Sequence, residues 1–139
     1  MDRLPDQSAG LLEMARGDAL IAERIAGDPD LPDRGLGFHA QQAVEKAIKG
    51  VLDWHSVKYP YTHDIEGLLD LVSDSRLPLP PDAQDLPRLT PYAGTLRYDP
   101  RMPLPSSARL DRNWAIAIVR RTIQWAEGVL NEKNQGRTP

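Results

Sequence analysis

The sequence predicts an all-α protein, an up-and-down antiparallel bundle of four to five helices folded as a single domain over residues 1–139. Three observations predict it. Apolar residues recur at spacings of three and four along both flanks of the chain, the period of a helix with one buried face. Strand-like alternation persists nowhere. Nine of the thirteen prolines lie between Pro60 and Pro105, so a middle region broken into short pieces separates flanks that can carry long helices.

The first helix is predicted over about Ser8–Ala26, where Leu12, Ala15, Ala19, Ala22 and Ala26 form a stripe widened by Leu11 and Ile25. Gly27-Asp28-Pro29 ends it. The second runs from Asp33 or Leu36 to Trp54, with Ala40, Val44, Ala47, Ile48 and Val51 on its apolar face. A polar ridge of His39, Gln42, Lys46, Lys49 and Asp53 follows the same period. The third begins near Thr62-His63-Asp64, with Thr62 or His63 as its cap and Leu68, Leu69 and Val72 turned inward. Asp64 and Glu66 place negative charge where the helix dipole favours it. A proline-rich connector covers about 76–105. It holds a possible short helix from Asp82, with Leu86 and Leu89 inward. The last helix starts around Ser106 or Ser107 and ends near Asn131, leaving a polar tail, 132–139, expected to be disordered. This helix carries two stripes, one through Ile116, Val119, Ile123, Ala126 and Leu130, the other through Trp114, Ala117, Ile118, Arg121 and Trp125. A bundle core needs only one. Trp114, Ile118, Arg121 and Trp125 are therefore candidate dimer-interface residues.

Composition narrows function. The absence of cysteine removes disulfides, thiolate metal sites and cysteine nucleophiles. A net charge of −3 excludes a uniformly basic nucleic-acid binder. No apolar run is long enough to span a bilayer and no signal-peptide layout is present, so a cytoplasmic protein is expected. The three histidines, His39, His55 and His63, match no standard ligand spacing, and no metal or cofactor is expected. Gly-rich phosphate loops and nucleophile elbows are missing.

Three segments carry a resemblance. The stretch Phe38-His39-Ala40-Gln41-Gln42-Ala43-Val44-Glu45-Lys46-Ala47-Ile48-Lys49 is followed by Tyr61-Thr62-His63-Asp64-Ile65 and then by Leu96-Arg97-Tyr98. In order and spacing these resemble the HEPN family, the higher eukaryotes and prokaryotes nucleotide-binding domain. The resemblance implies a helical bundle, a homodimer, and association with a minimal nucleotidyltransferase, often as a toxin–antitoxin pair. It also implies, for many members, a metal-independent RNase site in which an arginine is followed four to six residues later by a histidine at the dimer cleft. Here no histidine follows Arg97 in that window, or anywhere after His63. The expectation therefore leans towards a nucleotide- or RNA-associated binding module and away from an enzyme, with the enzyme question left open. Alternatives are an RNase using a non-standard site, and a helical protein–protein adaptor without a ligand.

The candidate ligand-binding residues are Arg97, Tyr98, Lys46, His39, Gln42 and His63. Arg97 suits a phosphate and Tyr98 a base or sugar, against a structural pairing of Arg97 with Asp99. His39, Gln42, Lys46 and Lys49 suit a phosphate-accepting cleft, against an ordinary helix face with Glu45–Lys49 as an i,i+4 pair. His63 suits a proton shuttle or phosphate contact, against a helix-capping role. Arg97, Arg101, Arg109, Arg112, Arg120 and Arg121 form a local basic bias, read either as a ligand-facing patch or as docking and solvated surface.

Overall fold

A computed structural model describes residues 5–94 and 110–136, with side chains described within 7–94 and 110–131. The described residues form four α-helices: α1 (Pro5–Ala26), α2 (Asp33–Trp54), α3 (Ile65–Asp74) and α4 (Arg112–Gly136). A 3-10 helix, Leu86–Ala93, lies between α3 and α4, and no strand occurs among the described residues. The all-helical fold read from periodicity is the fold the chain adopts. Arg97 and Tyr98, and Arg101 and Arg109 of the basic bias, lie outside the described residues.

The central element is α2, which packs against α1, α3, α4 and the 3-10 helix. Its Leu36, Val44, Ile48, Val51 and Leu52 are fully buried, and so are Ile65 and Leu68 of α3, Leu86 and Leu89 of the 3-10 helix and Ile118 of α4. Each such aliphatic side chain contributes about 1.5–3 kcal/mol on leaving water. Small residues set the spacing of the α1–α2 pair. Ala15 and Ala22 are completely buried, and a Cβ at Gly50 of α2 would lie 3.4 Å from the Ser8 carbonyl oxygen of α1. At the other end of α2, a Cβ at Gly37 would fall 2.2 Å from the ring of Tyr92. Only glycine lets that buried tyrosine close over the start of the helix.

Helix ends differ in detail from the sequence expectation. Asp64, not Thr62 or His63, occupies the cap position of α3. Thr62 instead accepts the Asp64 backbone N–H at its Oγ1, 3.0 Å away, one step upstream of the helix. The last turns of α2 and α3 close alike. Val57 N–H donates to the Leu52 carbonyl (2.9 Å) and Leu77 N–H to the Val72 carbonyl (3.1 Å), with Ser56 at φ 59° and Arg76 at φ 61° between helix and loop. These are Schellman closures carried by residues other than the usual glycine. Asp111 caps α4, its Oδ1 accepting the Trp114 backbone N–H at 3.1 Å. The helix continues to Gly136, so the boundary expected at 132 falls inside it.

The two stripes of α4 both have cover within the chain. One faces α1 and α2. Along the other, Arg88 stacks its guanidinium 4.4 Å from the centre of the Trp114 ring, and the Trp125 indole N–H donates to the Pro78 carbonyl at 3.0 Å. Arg121 grips Asp82 with two hydrogen bonds, at 2.8 and 3.1 Å. Pro78, Asp82 and Arg88 of the proline-rich stretch thus contact the side of α4 that holds Trp114, Arg121 and Trp125. Arg16–Glu127 (2.7 Å) and Arg120–Glu23 (2.9 Å) mark the antiparallel register of α1 and α4. Both pairs are exposed and contribute little to stability.

One arginine ties three elements together. Arg112, the first residue of α4, donates through Nε to Asp33 Oδ1 at 3.0 Å. Its Nη1 reaches the carbonyls of Ile25 (2.9 Å) and Asp28 (3.0 Å), and its Nη2 reaches the Leu31 carbonyl. It therefore adds a second donor to the Ile25 and Asp28 carbonyls, which already accept the Asp28 and Leu31 backbone N–H groups, and meets the acidic first turn of α2 at once. Arg112→Ala should cost about 2–4 kcal/mol in urea unfolding. Arg112→Lys, which keeps the charge but not the planar fork, should recover only part of that loss.

Candidate functional site

The polar ridge of α2 does not face open water. Turned towards α1, His39 and Lys46 converge on one carboxylate. His39 Nδ1 lies 2.9 Å from Asp18 Oδ1, and Lys46 Nζ donates to Asp18 Oδ2 at 2.6 Å. Asp18 itself is 9% exposed. Further along the helix, Glu45 collects three donors: Gln41 Nε2 at 2.7 Å, Lys49 Nζ at 2.9 Å and His63 Nδ1 at 2.9 Å. Gln42 joins the chain by donating to Gln41 Oε1 at 2.7 Å. Lys49 also donates to the Thr62 carbonyl at 2.9 Å, pinning the loop that carries His63. The Glu45–Lys49 i,i+4 pair is real, but it is a buried pair within a network and not a solvated one.

The pairings fix the two imidazoles. Against an ionised carboxylate the bonded Nδ1 carries the proton and donates, so the neutral ring presents Nε2 as an acceptor and the protonated ring presents it as a donor. Both His39 and His63 are held this way. Their side chains are a quarter and a half exposed, so each offers an oriented nitrogen at the surface. Phe38 packs edge-on against His39 (ring centres 5.0 Å apart), and Tyr61 does the same for His63 at 6.1 Å. Tyr61 is 96% exposed, with Lys49 Nζ 6.0 Å from its ring centre. At the C-terminal end of the ridge, Asp53 accepts from Gln7 Nε2 (2.8 Å) and the Tyr59 hydroxyl (3.1 Å). Burial first, and then the Asp53 charge, push the Tyr59 phenol well above its ordinary range, so it stays a neutral donor.

Of the candidates, the described structure brings His39 and Lys46 together on Asp18, and Gln42 and His63 together on the Gln41–Glu45 pair. Lys46 and Lys49 are both spent on carboxylates. The free chemistry of this face is imidazole nitrogen, not bare cation. The residues that sequence reading missed are the two organisers. Asp18 interrupts the buried alanine stripe of α1 between Ala15 and Ala22, a lone acid where the helical period calls for an apolar residue. Glu45 sits between Gln41, Ile48 and Val44 on the buried side of α2. The basic bias near α4 also resolves: Arg112, Arg120 and Arg121 each pair with a different acid, on α2, α1 and the connector. A shallow groove of about 370 Å³, lined by Glu66, Leu69, Asp70, Leu79 and their neighbours, includes none of these candidates and is acidic. Among the described residues no group of three or more histidine or acidic side chains is placed to hold a metal ion.

Residues 34–132 match the family model described as the HEPN domain. The chain belongs to the HEPN family. The matched span contains α2, α3, the 3-10 helix and most of α4, and so holds every member of the polar face except Asp18 and Gln7. No match was found among curated proteins or among solved structures. In this HEPN domain no described helix is long and apolar enough to cross a membrane.

The network makes Glu45 the most exacting position on the face. Glu45→Ala would leave Lys49, only 12% exposed, without its counter-charge. Chemical denaturation should show a loss of about 3–5 kcal/mol, while Tyr61→Ala, at a fully solvated site, should leave stability nearly unchanged.

Proposed function

We propose that this HEPN protein is a homodimeric nucleotide- or RNA-binding regulatory module that works with a minimal nucleotidyltransferase, in a toxin–antitoxin setting. The observation that carries the reading is the polar face of α2. Two imidazoles are held there by buried carboxylates, each with its Nδ1 anchored and its Nε2 left to meet a ligand. Such nitrogens accept from a base or ribose when neutral and donate to a phosphate oxygen when protonated. Gln42 adds an amide, and Lys46 supplies charge from behind by neutralising Asp18. Arg97 and Tyr98 complete the reading through the family resemblance, as a phosphate contact and a base or sugar contact.

Isothermal titration with mononucleotides and short single-stranded RNAs tests this. The wild-type protein should bind. Arg97→Ala, and His39→Ala combined with His63→Ala, should each weaken binding roughly ten-fold or more, the loss expected when a charge-assisted hydrogen bond goes; melting temperature should be nearly unchanged in Arg97→Ala and lower in the double histidine variant, which takes a partner from the buried Asp18 and Glu45. Absence of binding by the wild-type protein to every probe would defeat the proposal.

A second reading rests on the same two imidazoles. Acid–base cleavage of RNA uses imidazoles held in a fixed orientation, as each of these is by its carboxylate. This predicts RNA cleavage that persists in a metal chelator and disappears in both His39→Ala and His63→Ala. Intact RNA after incubation with the purified protein would eliminate it.

A further inference from the structure

The outward face of α1 is the anomaly of the described surface. Of the six exposed large hydrophobic residues, three lie on it: Met14 (55% exposed), Leu20 (53%) and Ile21 (44%). Between them runs Gly17, with Gly10 two turns earlier. A Cβ at either glycine would meet nothing within 4 Å, so no contact inside the chain requires a glycine there. A glycine in the interior of a helix is destabilising relative to alanine. An exposed apolar stripe interrupted by bare backbone is costly for an isolated helix and well suited to close approach by another one. Glu13 and Arg24 flank the stripe at its two ends. Both are exposed, and neither pairs with another described residue.

We infer that this face is the contact between two copies of the chain. The inference rests on the homodimer half of the proposed function and gives it a surface. The sequence of the stripe is self-complementary for an antiparallel pairing centred near residue 18, as a two-fold contact demands. That register sets Leu20 of each copy over Gly17 of the other and Met14 against Ile21. It also sets Glu13 beside Arg24, opposite charges meeting twice. A parallel pairing would instead stack like charges. A partner of unrelated sequence would have no reason to match this spacing. On the Trp114–Trp125 side of α4 the chain's own Pro78, Asp82 and Arg88 already make contacts, whereas Met14, Leu20 and Ile21 of α1 stay about half exposed.

Sedimentation equilibrium of the full chain over a concentration series provides the test. The wild type should self-associate to a dimer. Gly17→Leu should abolish association. In samples dilute enough for both proteins to be monomeric it should melt no lower than wild type, because leucine has the better helix propensity and open space to occupy. Glu13→Arg and Arg24→Glu should each weaken the dimer roughly ten-fold by opposing like charges at two symmetry-related points, and the double variant should restore it. A wild-type dimer indifferent to these changes overturns this surface while leaving dimerisation intact. A wild type that stays monomeric at every concentration overturns both, and nucleotide binding is measured independently of either result.

Discussion

A helix touched by every other element must have its polar side chains answered from within the protein. That constraint on α2 shapes the rest of the structure. Its ridge carries two lysines, a glutamate and two glutamines at positions where water is scarce, and each would be costly to bury alone. Asp18 on α1 and the Thr62–His63 segment ahead of α3 are the responses. They neutralise Lys46 and complete the shell of Glu45. The same contacts fix α1 against α2 and hold the 55–64 loop down. Packing and site are therefore not separable here, since the residues that orient the imidazoles also seal the central helix.

This coupling bears on how a ligand would be met. A surface lysine gripping phosphate is a mobile point charge, whereas both lysines of this face are immobilised on carboxylates. Recognition would depend on direction more than on net charge, in keeping with a chain that is acidic overall. It would also be less sensitive to salt than a basic patch, because fewer counterions are displaced.

Much of the fold was legible because helical periodicity is a local signal. Ala40, Val44, Ala47, Ile48 and Val51 announce the buried face of α2 without reference to any other segment. What sequence could not give was which element covers which. The second stripe of α4 suggested a partner chain; that Trp114 and Trp125 also meet Arg88 and Pro78 was not legible, because those residues belong to a proline-rich stretch whose own pattern is irregular. The arginines near α4 looked like a patch because they are close in sequence, but residues 112, 120 and 121 point to three different neighbours. On the candidate site, His39, Gln42, Lys46 and His63 were singled out through spacing and family resemblance. Their organisers were not, because Asp18 lies more than twenty residues from His39, and Glu45 reads as half of a routine surface pair. A carboxylate inside an alanine stripe was the available clue.

The Arg112 clasp also has a bearing on the order in which the molecule can be completed. Its targets, the carbonyls of Ile25, Asp28 and Leu31 and the side chain of Asp33, all belong to the first quarter of the chain, while the arginine arrives about eighty residues later. During synthesis the α1–α2 hairpin can form as soon as it emerges, since its contacts are local. It then waits with Asp33 lacking its arginine partner and the groove meant for α4 still wet. The last helix is the closing piece of a structure otherwise largely assembled, and the interval before it docks is when the half-built bundle is most open to the wrong neighbour.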